Sequence, residues 1–584
     1  MTVSEYIFDF LQKKGADTVY MVSGSSAMWL TDALKRNERL HAICCQHEQA
    51  AAMAADGYGR TSGGVPGVCL VTIGPGATNA ITGVAGAFVD SSPMFVISGQ
   101  ANSRMLREQI DTGLRQKGTQ SLNLAPLVSG ITKYFAAVMS ERDARYHVER
   151  AWHEATTGRS GPVWLDVPVD IQNKQIPEEM KGFTPRAEGK TEIAEFDKIK
   201  RLLSRAERPL ILAGYGVIGA GVTDAVRAFA ERFQIPVVTS RGGIGCIDSG
   251  HPLFVGRPGS YGDRASHFAI QECDLLLILG SRLAVSTVGY YPDRFAMRSK
   301  KVMVDIDGKE LAKAGVPIDI AVEADLSTFI PELNRRSAQE AWKVPAHEAW
   351  LERCAKNKHK YPVVLDRYQE EPGINAYVFT KRLSENVPQE AAVVVDTGSV
   401  CNVVSQAWVL KRGQRYVISG GLSCMGFWAA AIGTCAHLKN VVALSGDGAT
   451  QMNVQEFATL AYYHLPIKLF VYNNKGYMLI RHNQHNYMHD RFLGVGPDSG
   501  VPSVDFCAVA QAYGLPCVRI SSKDEIEEKV KKVLGMEGPV ICEVMTQEFG
   551  VLAPRIASKV MPDGSLKAAE YDDLWPFLEK DDDV

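Results

Sequence analysis

No apolar run in this chain approaches the roughly 18 residues that a membrane span needs. The start, Met1-Thr2-Val3-Ser4-Glu5-Tyr6, also lacks the basic-then-apolar order of an export signal. Neither sign of charge is in excess, the net being -3, so nothing electrostatic favours nucleic acid or an anionic membrane. The 12 cysteines are scattered, Cys44 and Cys45 adjacent, with no paired CxxC units for zinc. Together these absences predict a reduced cytoplasmic enzyme whose partners are small molecules.

What the chain has is length and alternation. Its 584 residues exceed one core and suggest three to five units. Short apolar strands such as Val68 to Ile73, Met94 to Ser98 and Val163 to Val167 alternate with helical stretches, the pattern of a parallel α/β sheet. Asn173 to Thr191, rich in charge, Pro and Gly, reads as a linker. A second block runs from Pro209 to about Leu333. A charged connector, Arg335 to Asp366, then leads to a third block from Asn375 to Val544. The expected fold is α/β with three consecutive doubly wound parallel-sheet domains, at 1–175, 190–335 and 370–548, and a tail at 549–584. The tail's Leu574-Trp575-Pro576-Phe577-Leu578 cluster must dock somewhere, and its Lys580-Asp581-Asp582-Asp583 end is expected to be solvated.

The strongest chemical signal lies in the third block. Val441 to Leu444 reads as a buried strand, Asn453 to Tyr463 as a helix and Ile467 to Tyr472 as a second strand. Such a βαβ unit makes the strands parallel, so Asp447 and Asn474, one past each end, emerge at one sheet edge. A carboxylate and an amide carbonyl suit Mg²⁺, which completes its octahedron with water and phosphate oxygens, so a diphosphate is implied. Gly446 and Gly448 would let the backbone approach that group, and the following helix would aim free N–H groups at it. Gly-Asp-Gly alone is usually a plain tight turn.

A second signal is His47-Glu48-Gln49, opening an alanine-rich helix, Ala50 to Ala55, expected to stop at Gly57 and Gly59. Glu48 reads either as a surface carboxylate favoured by the helix dipole, or as a buried carboxyl of raised pKa that shares a proton with a heterocycle nitrogen.

Gly446-Asp447-Gly448 through Asn473-Asn474, Glu48 in its helix, Gly74-Pro75-Gly76-Ala77-Thr78-Asn79 and the three-domain order together resemble the thiamine-diphosphate-dependent 2-keto acid enzymes, nearest their acetolactate synthase branch. The resemblance spans about Val3 to Val544. It implies a pyrimidine-binding, a central nucleotide-fold and a diphosphate-binding domain. Asp447, Asn474 and the carbonyl of Gly476 would hold Mg²⁺, and Gly446, Gly448 and Ala449 would cradle the diphosphate. Glu48 would bond the aminopyrimidine ring, with Pro75 and Asn79 beside it. Met425 would support the bent cofactor, and the Ser423 carbonyl would receive its amino group where many relatives have glycine. The family builds each site between two subunits, which implies a homodimer or homotetramer.

The chain departs from that branch at two places. Ser286 stands where the synthases carry an arginine that reads a keto acid's carboxylate, and Asn483 stands where they carry a tryptophan. Losing a bidentate cation argues against a simple 2-keto acid as acceptor. No His-His pair of the simple decarboxylases is present. The expected reaction is therefore carboligation: a pyruvate-like 2-keto acid loses CO₂ and the carbanion adds to an aldehyde or ketone. The alternatives are cleavage or hydrolysis of a cyclic diketone, or a noncatalytic cofactor-binding paralogue. Leu114 to Gln120 would face the substrate by analogy.

Gly214-Tyr215-Gly216-Val217-Ile218-Gly219 satisfies GxGxxG, but the next strand ends in Thr239-Ser240-Arg241 without the acid an NAD site needs. The resemblance points instead to FAD held by Gly214, Gly216, Arg282 and Asp305, the alternative being an empty fold packed for stability. His482, His485 and His489 are spaced for one helical face and could line the substrate or a metal. His47-Glu48-Gln49-Ala50-Ala51 lacks the second histidine of a zinc protease helix.

Overall fold

A computed structural model describes residues 1–185, 194–313, 315–560 and 566–578. The expected linker therefore lies partly, and the expected solvated end wholly, outside the described residues.

The apolar runs form three six-stranded sheets, every neighbouring pair parallel. In spatial order the first is His41–Cys44, Thr18–Met21, Gly67–Val71, Met94–Gln100, Pro162–Pro168 and Tyr134–Ala137. The third repeats that order with Arg415–Ile418, Ala391–Val395, Asn440–Gly446, Ile467–Asn473, Val540–Met545 and Cys517–Ile520. The middle sheet differs: Ile320–Glu323, Lys300–Asp305, Leu275–Leu279, Pro209–Ala213, Val237–Thr239 and Phe254–Gly256. Central strands such as Leu275–Leu279 and Ala391–Val395 are buried throughout, as helices on both faces of a parallel sheet require. In such sheets ligands collect beyond the carboxyl ends of strands where the order reverses. In the third sheet that point lies between Val395 and Gly446, and in the middle sheet between Ala213 and Leu279.

The alanine-rich helix does not stop at the glycines; it runs Glu48–Thr61 and is buried from Ala50 to Gly59. Its glycines are a contact surface. A Cβ on Gly57 would stand 2.0 Å from the Ala430 carbonyl, and one on Gly433 would stand 1.7 Å from that of Ala54. Only hydrogen fits at both positions, so the helix lies directly on Ala430–Thr434 and welds the first sheet's domain to the third.

The charged connector carries the helices Leu326–Gln339 and Glu348–Lys360. The tail docks on the middle domain, where Tyr571 and Leu574 are buried, Tyr571 stacks on His267 and Arg264 donates to the Leu574 carbonyl at 3.0 Å. No described helix is long and apolar enough to cross a membrane. The expectation of free thiols throughout fails at one place: Cys507 and Cys517 are joined, and the other ten cysteines are free.

Candidate active site

Asn440–Gly446 and Ile467–Asn473 pair in parallel with Gly446 opposite Tyr472, which brings Asp447 and the Asn474 loop to one edge. Asp447 is buried and accepts the N–H groups of Gly448 at 2.8 Å and Gly476 at 2.7 Å. Burial pushes its carboxyl up to about 6, partly offset by those two donors. Asn474 is 3% exposed and its Oδ1 has no donor. An orphaned amide oxygen beside a buried carboxylate is what a divalent cation would satisfy. Asn473 instead is structural, donating to Glu543 at 2.7 Å.

The turn leads at once into a short helix, Asp447–Gln451, and the helix expected over Asn453 to Tyr463 is then two pieces, a 3₁₀ turn Val454–Glu456 and the helix Phe457–Tyr463. Ala449 is buried in the first. The Gly448 N–H is not free here, being spent on Asp447. A Cβ on Gly448 would stand 2.2 Å from the Tyr477 ring, which would have to shift, whereas one on Gly446 would make ordinary contact with Val400 at 3.6 Å. Gly476 combines φ +141° with a Cβ position 2.1 Å from the Val495 carbonyl. Arg481, which sequence reading passed over, fixes this loop by donating to the carbonyls of Asn474 (3.4 Å), Lys475 (3.1 Å), Val495 (3.0 Å) and Glu548.

Asp396, also unforeseen, sits at the switch point, fully buried. It accepts from Thr397 N (2.8 Å), Phe427 N (3.1 Å), Trp428 N (3.3 Å) and Ser445 Oγ (2.8 Å). It thereby ties the segment after Met425 to the strand that delivers Asp447; burial raises it to about 6. Met425 is half-buried, and Ser423 is exposed with φ +54°.

Glu48 is half-buried, so the fully buried carboxyl considered from sequence is not what this chain alone presents. Asn79 donates to its Oε2 at 3.0 Å, and a Cβ on Gly76 would stand 3.3 Å from its Oε1. Pro75 opens the helix Pro75–Asp90, and both Pro75 and Asn79 are exposed. Glu456 reaches from the third domain to the residues just before Glu48. It is fully buried, accepts Gln46 N (2.9 Å), His47 N (3.0 Å) and Thr459 Oγ1 (2.6 Å), and burial pushes it up to about 7.

At the middle sheet's switch point lies a cavity of about 720 Å³ lined by Gly216, Arg282, Asp305, Ser286, Arg415 and Asp90, among others. Gly214 does not line it. Gly214 and Gly216 are glycines because the backbone at Gly280 passes so close that their Cβ atoms would stand 2.2 Å and 2.7 Å from it.

Three family models match the three sheets in order: "Thiamine pyrophosphate enzyme, N-terminal TPP binding domain" at residues 1–125, the central domain at 196–333, and the "C-terminal TPP binding domain" at 396–544. The chain belongs to the thiamine pyrophosphate enzymes. Relatives along nearly its whole length include the "Probable acetolactate synthase large subunit" of Methanocaldococcus jannaschii, 32% identical over 97% of this chain and 94% of that one. "Acetolactate synthase isozyme 2 large subunit" of Escherichia coli is 31% identical over 95% and 97%. "Acetolactate synthase, chloroplastic" of Arabidopsis thaliana is 30% identical over 95% and 83%.

Set beside that family, some expectations shift. The relatives' names do not support placing the chain outside acetolactate synthesis. His482, His485 and His489 do not share a helical face: the helix is Met478–Met488, and His489 caps it at φ +51°. His482 bonds the Gly550 carbonyl at 2.8 Å, His485 pairs with Asp490 at 2.5 Å, and none belongs to a cluster of three possible metal ligands among the described residues. Asn483 is exposed, as is nearly all of Leu114 to Gln120.

Proposed function

We propose that this thiamine pyrophosphate enzyme is a Mg²⁺-dependent carboligase that decarboxylates a pyruvate-like 2-keto acid and joins the remaining carbon unit to an aldehyde or ketone. The observation that carries it is the buried, donorless Oδ1 of Asn474 beside buried Asp447. Asp447, Asn474 Oδ1 and the Gly476 carbonyl would hold Mg²⁺ against the cofactor's diphosphate, with Gly446, Gly448 and Ala449 alongside.

When bound, the cofactor supplies a nucleophilic carbon and an electron sink for the pair released as CO₂ departs. Glu48 would hold a proton at the aminopyrimidine nitrogen, oriented by Asn79. Ser423 would accept the amino group at its carbonyl, and Met425 would set the cofactor's bend. Asp396 keeps that support and the metal turn in register. Pro75, Asn79 and Ser423 are exposed in the single chain, which supports a site completed by a second copy, in a homodimer or homotetramer.

The acceptor is read as a carbonyl compound other than a simple 2-keto acid. Ser286, on the cavity wall, has no cation to offer a second carboxylate. The same cavity has the size of a cofactor site, and Gly216, Arg282 and Asp305 are read as FAD contacts. Incubation with pyruvate, Mg²⁺ and thiamine diphosphate, with and without carbonyl acceptors, followed by mass spectrometry, tests the reading. CO₂ release with an acceptor-dependent product supports it. Silence across a broad keto acid panel overturns it, and efficient 2-acetolactate formation from pyruvate alone overturns the acceptor assignment. A protein that stays colourless after incubation with FAD sinks the flavin assignment.

A further inference from the structure

Asp90 ends the helix Pro75–Asp90 and is nearly buried at the wall of the central cavity. Its two oxygens are divided between two backbone donors on another domain: Gly420 N to Oδ2 and Gly421 N to Oδ1, each at 2.8 Å. Two arginines approach the same carboxylate. Arg60 donates to it at 3.1 Å but is locked in place, holding Asp56 at 2.7 and 2.9 Å and the Ile418 carbonyl at 2.9 Å. Arg282 stands 3.9 Å away, one third exposed, with Nη1 on the Val89 carbonyl at 3.1 Å, and it lines the cavity. Arg282 is thus the partner able to move.

We propose that Asp90 is the positioning residue through which a phosphate-bearing nucleotide in the central cavity sets the backbone that carries Ser423 and Met425. This rests on the reading of that backbone as the support for thiamine diphosphate. A phosphate group recruits Arg282 by charge-assisted, fork-shaped hydrogen bonding. Once Arg282 turns to it, the Oδ1 charge of Asp90 is left to the Gly421 N–H, and that bond tightens. The Gly421 backbone lies directly against this cluster: a Cβ there would meet Val89 at 2.2 Å, Arg282 at 2.6 Å and Asp90 at 2.9 Å. Two residues on, Ser423 is held at φ +54°, a conformation that a non-glycine residue keeps only when its surroundings impose it. The nucleotide therefore needs no redox role to matter to the reaction; its phosphate acts through Arg282, Asp90 and the Gly420-Gly421 amides.

Linkage makes this coupling reciprocal, which supplies a readout independent of turnover. Calorimetric titration of the full-length protein with thiamine diphosphate and Mg²⁺, with and without saturating FAD or ADP, should show affinity raised roughly five-fold or more by either nucleotide. Titrating the nucleotide with and without thiamine diphosphate should return the same factor. Asp90→Asn should bind both ligands and lose the coupling. Should that variant fail to fold, Arg282→Gln decides: at nucleotide concentrations that direct titration shows to be saturating for the variant, its thiamine diphosphate affinity should stay at the nucleotide-free value. Unchanged thiamine diphosphate affinity in the nucleotide-saturated native protein, or coupling that survives Arg282→Gln, overturns the proposal. Absence of thiamine diphosphate binding altogether overturns the reading of the site itself.

Discussion

The carboxylate of Glu456 accepts the backbone N–H of His47 at 3.0 Å, so a buried acid of the third domain fixes the residue immediately before Glu48. The bond joins the domain that carries Glu48 to the domain that carries Asp447. It also puts an acid raised to about 7 by burial into the stability of the protein.

The sign follows from proton counting. Between the ordinary carboxyl range and about 7, the folded chain keeps the Glu456 proton and the unfolded chain has lost it, so stability falls as pH rises through that window and levels off above it. Denaturant midpoints of the cofactor-free protein should drop from pH 5 to pH 8. Glu456→Gln, which cannot ionise, should flatten part of that slope; an unchanged slope counts against the assignment.

Glu48→Gln should fold and associate as the native chain does and lose about 10²–10⁴-fold in turnover, the range a positioned proton-transfer group supplies. Circular dichroism and the rate of CO₂ release separate the two effects. Near-native turnover removes Glu48 from the chemistry.

Asn474 gives a prediction with opposite signs in two conditions. Its Oδ1 is buried without a donor, so Asn474→Leu removes an unsatisfied polar atom at similar volume and should leave the metal-free protein equally or more stable. In the same variant, the rise in melting temperature given by Mg²⁺ with thiamine diphosphate should vanish. If it persists, Asn474 is not a ligand.

The parts legible in the sequence were those with one local cause. All-apolar runs such as Val441 to Leu444 marked buried parallel strands, and Asp447 with Asn474 could be placed at one edge because a βαβ crossover leaves no other arrangement. Asp396, Glu456 and Arg481 were not legible, since each acts on residues distant in the chain, and an isolated Asp, Glu or Arg looks like any solvated side chain. The glycines misled for the same reason. Gly57 looked like a helix stop and Gly214 like a nucleotide contact, whereas each is small because another backbone, at Ala430 or Gly280, passes against it.

That last point can be tested at Gly433, where the neighbouring backbone is nearest. A Cβ there would lie 1.7 Å from the Ala54 carbonyl and 2.8 Å from Tyr58 N, both main-chain atoms of the buried helix, so no side-chain rotation relieves the clash. The two helices must separate, which opens the core shared by the first and third sheets. In an ordinary helix, Gly→Ala is favourable by about 1 kcal/mol. Here overpacking should reverse the sign and cost about 1–3 kcal/mol or more. Gly63→Ala is the useful comparison: its φ is +75° but nothing lies within 4 Å of its Cβ position, so any loss there comes from backbone strain alone. Urea unfolding of both variants should rank Gly433→Ala as the more damaging. It should also be the one that lowers affinity for thiamine diphosphate, because separating the helices displaces the Glu48 helix from the domain that carries Asp447. Equal stability losses, or intact cofactor affinity in Gly433→Ala, would show that the glycine contact is not what registers the two domains.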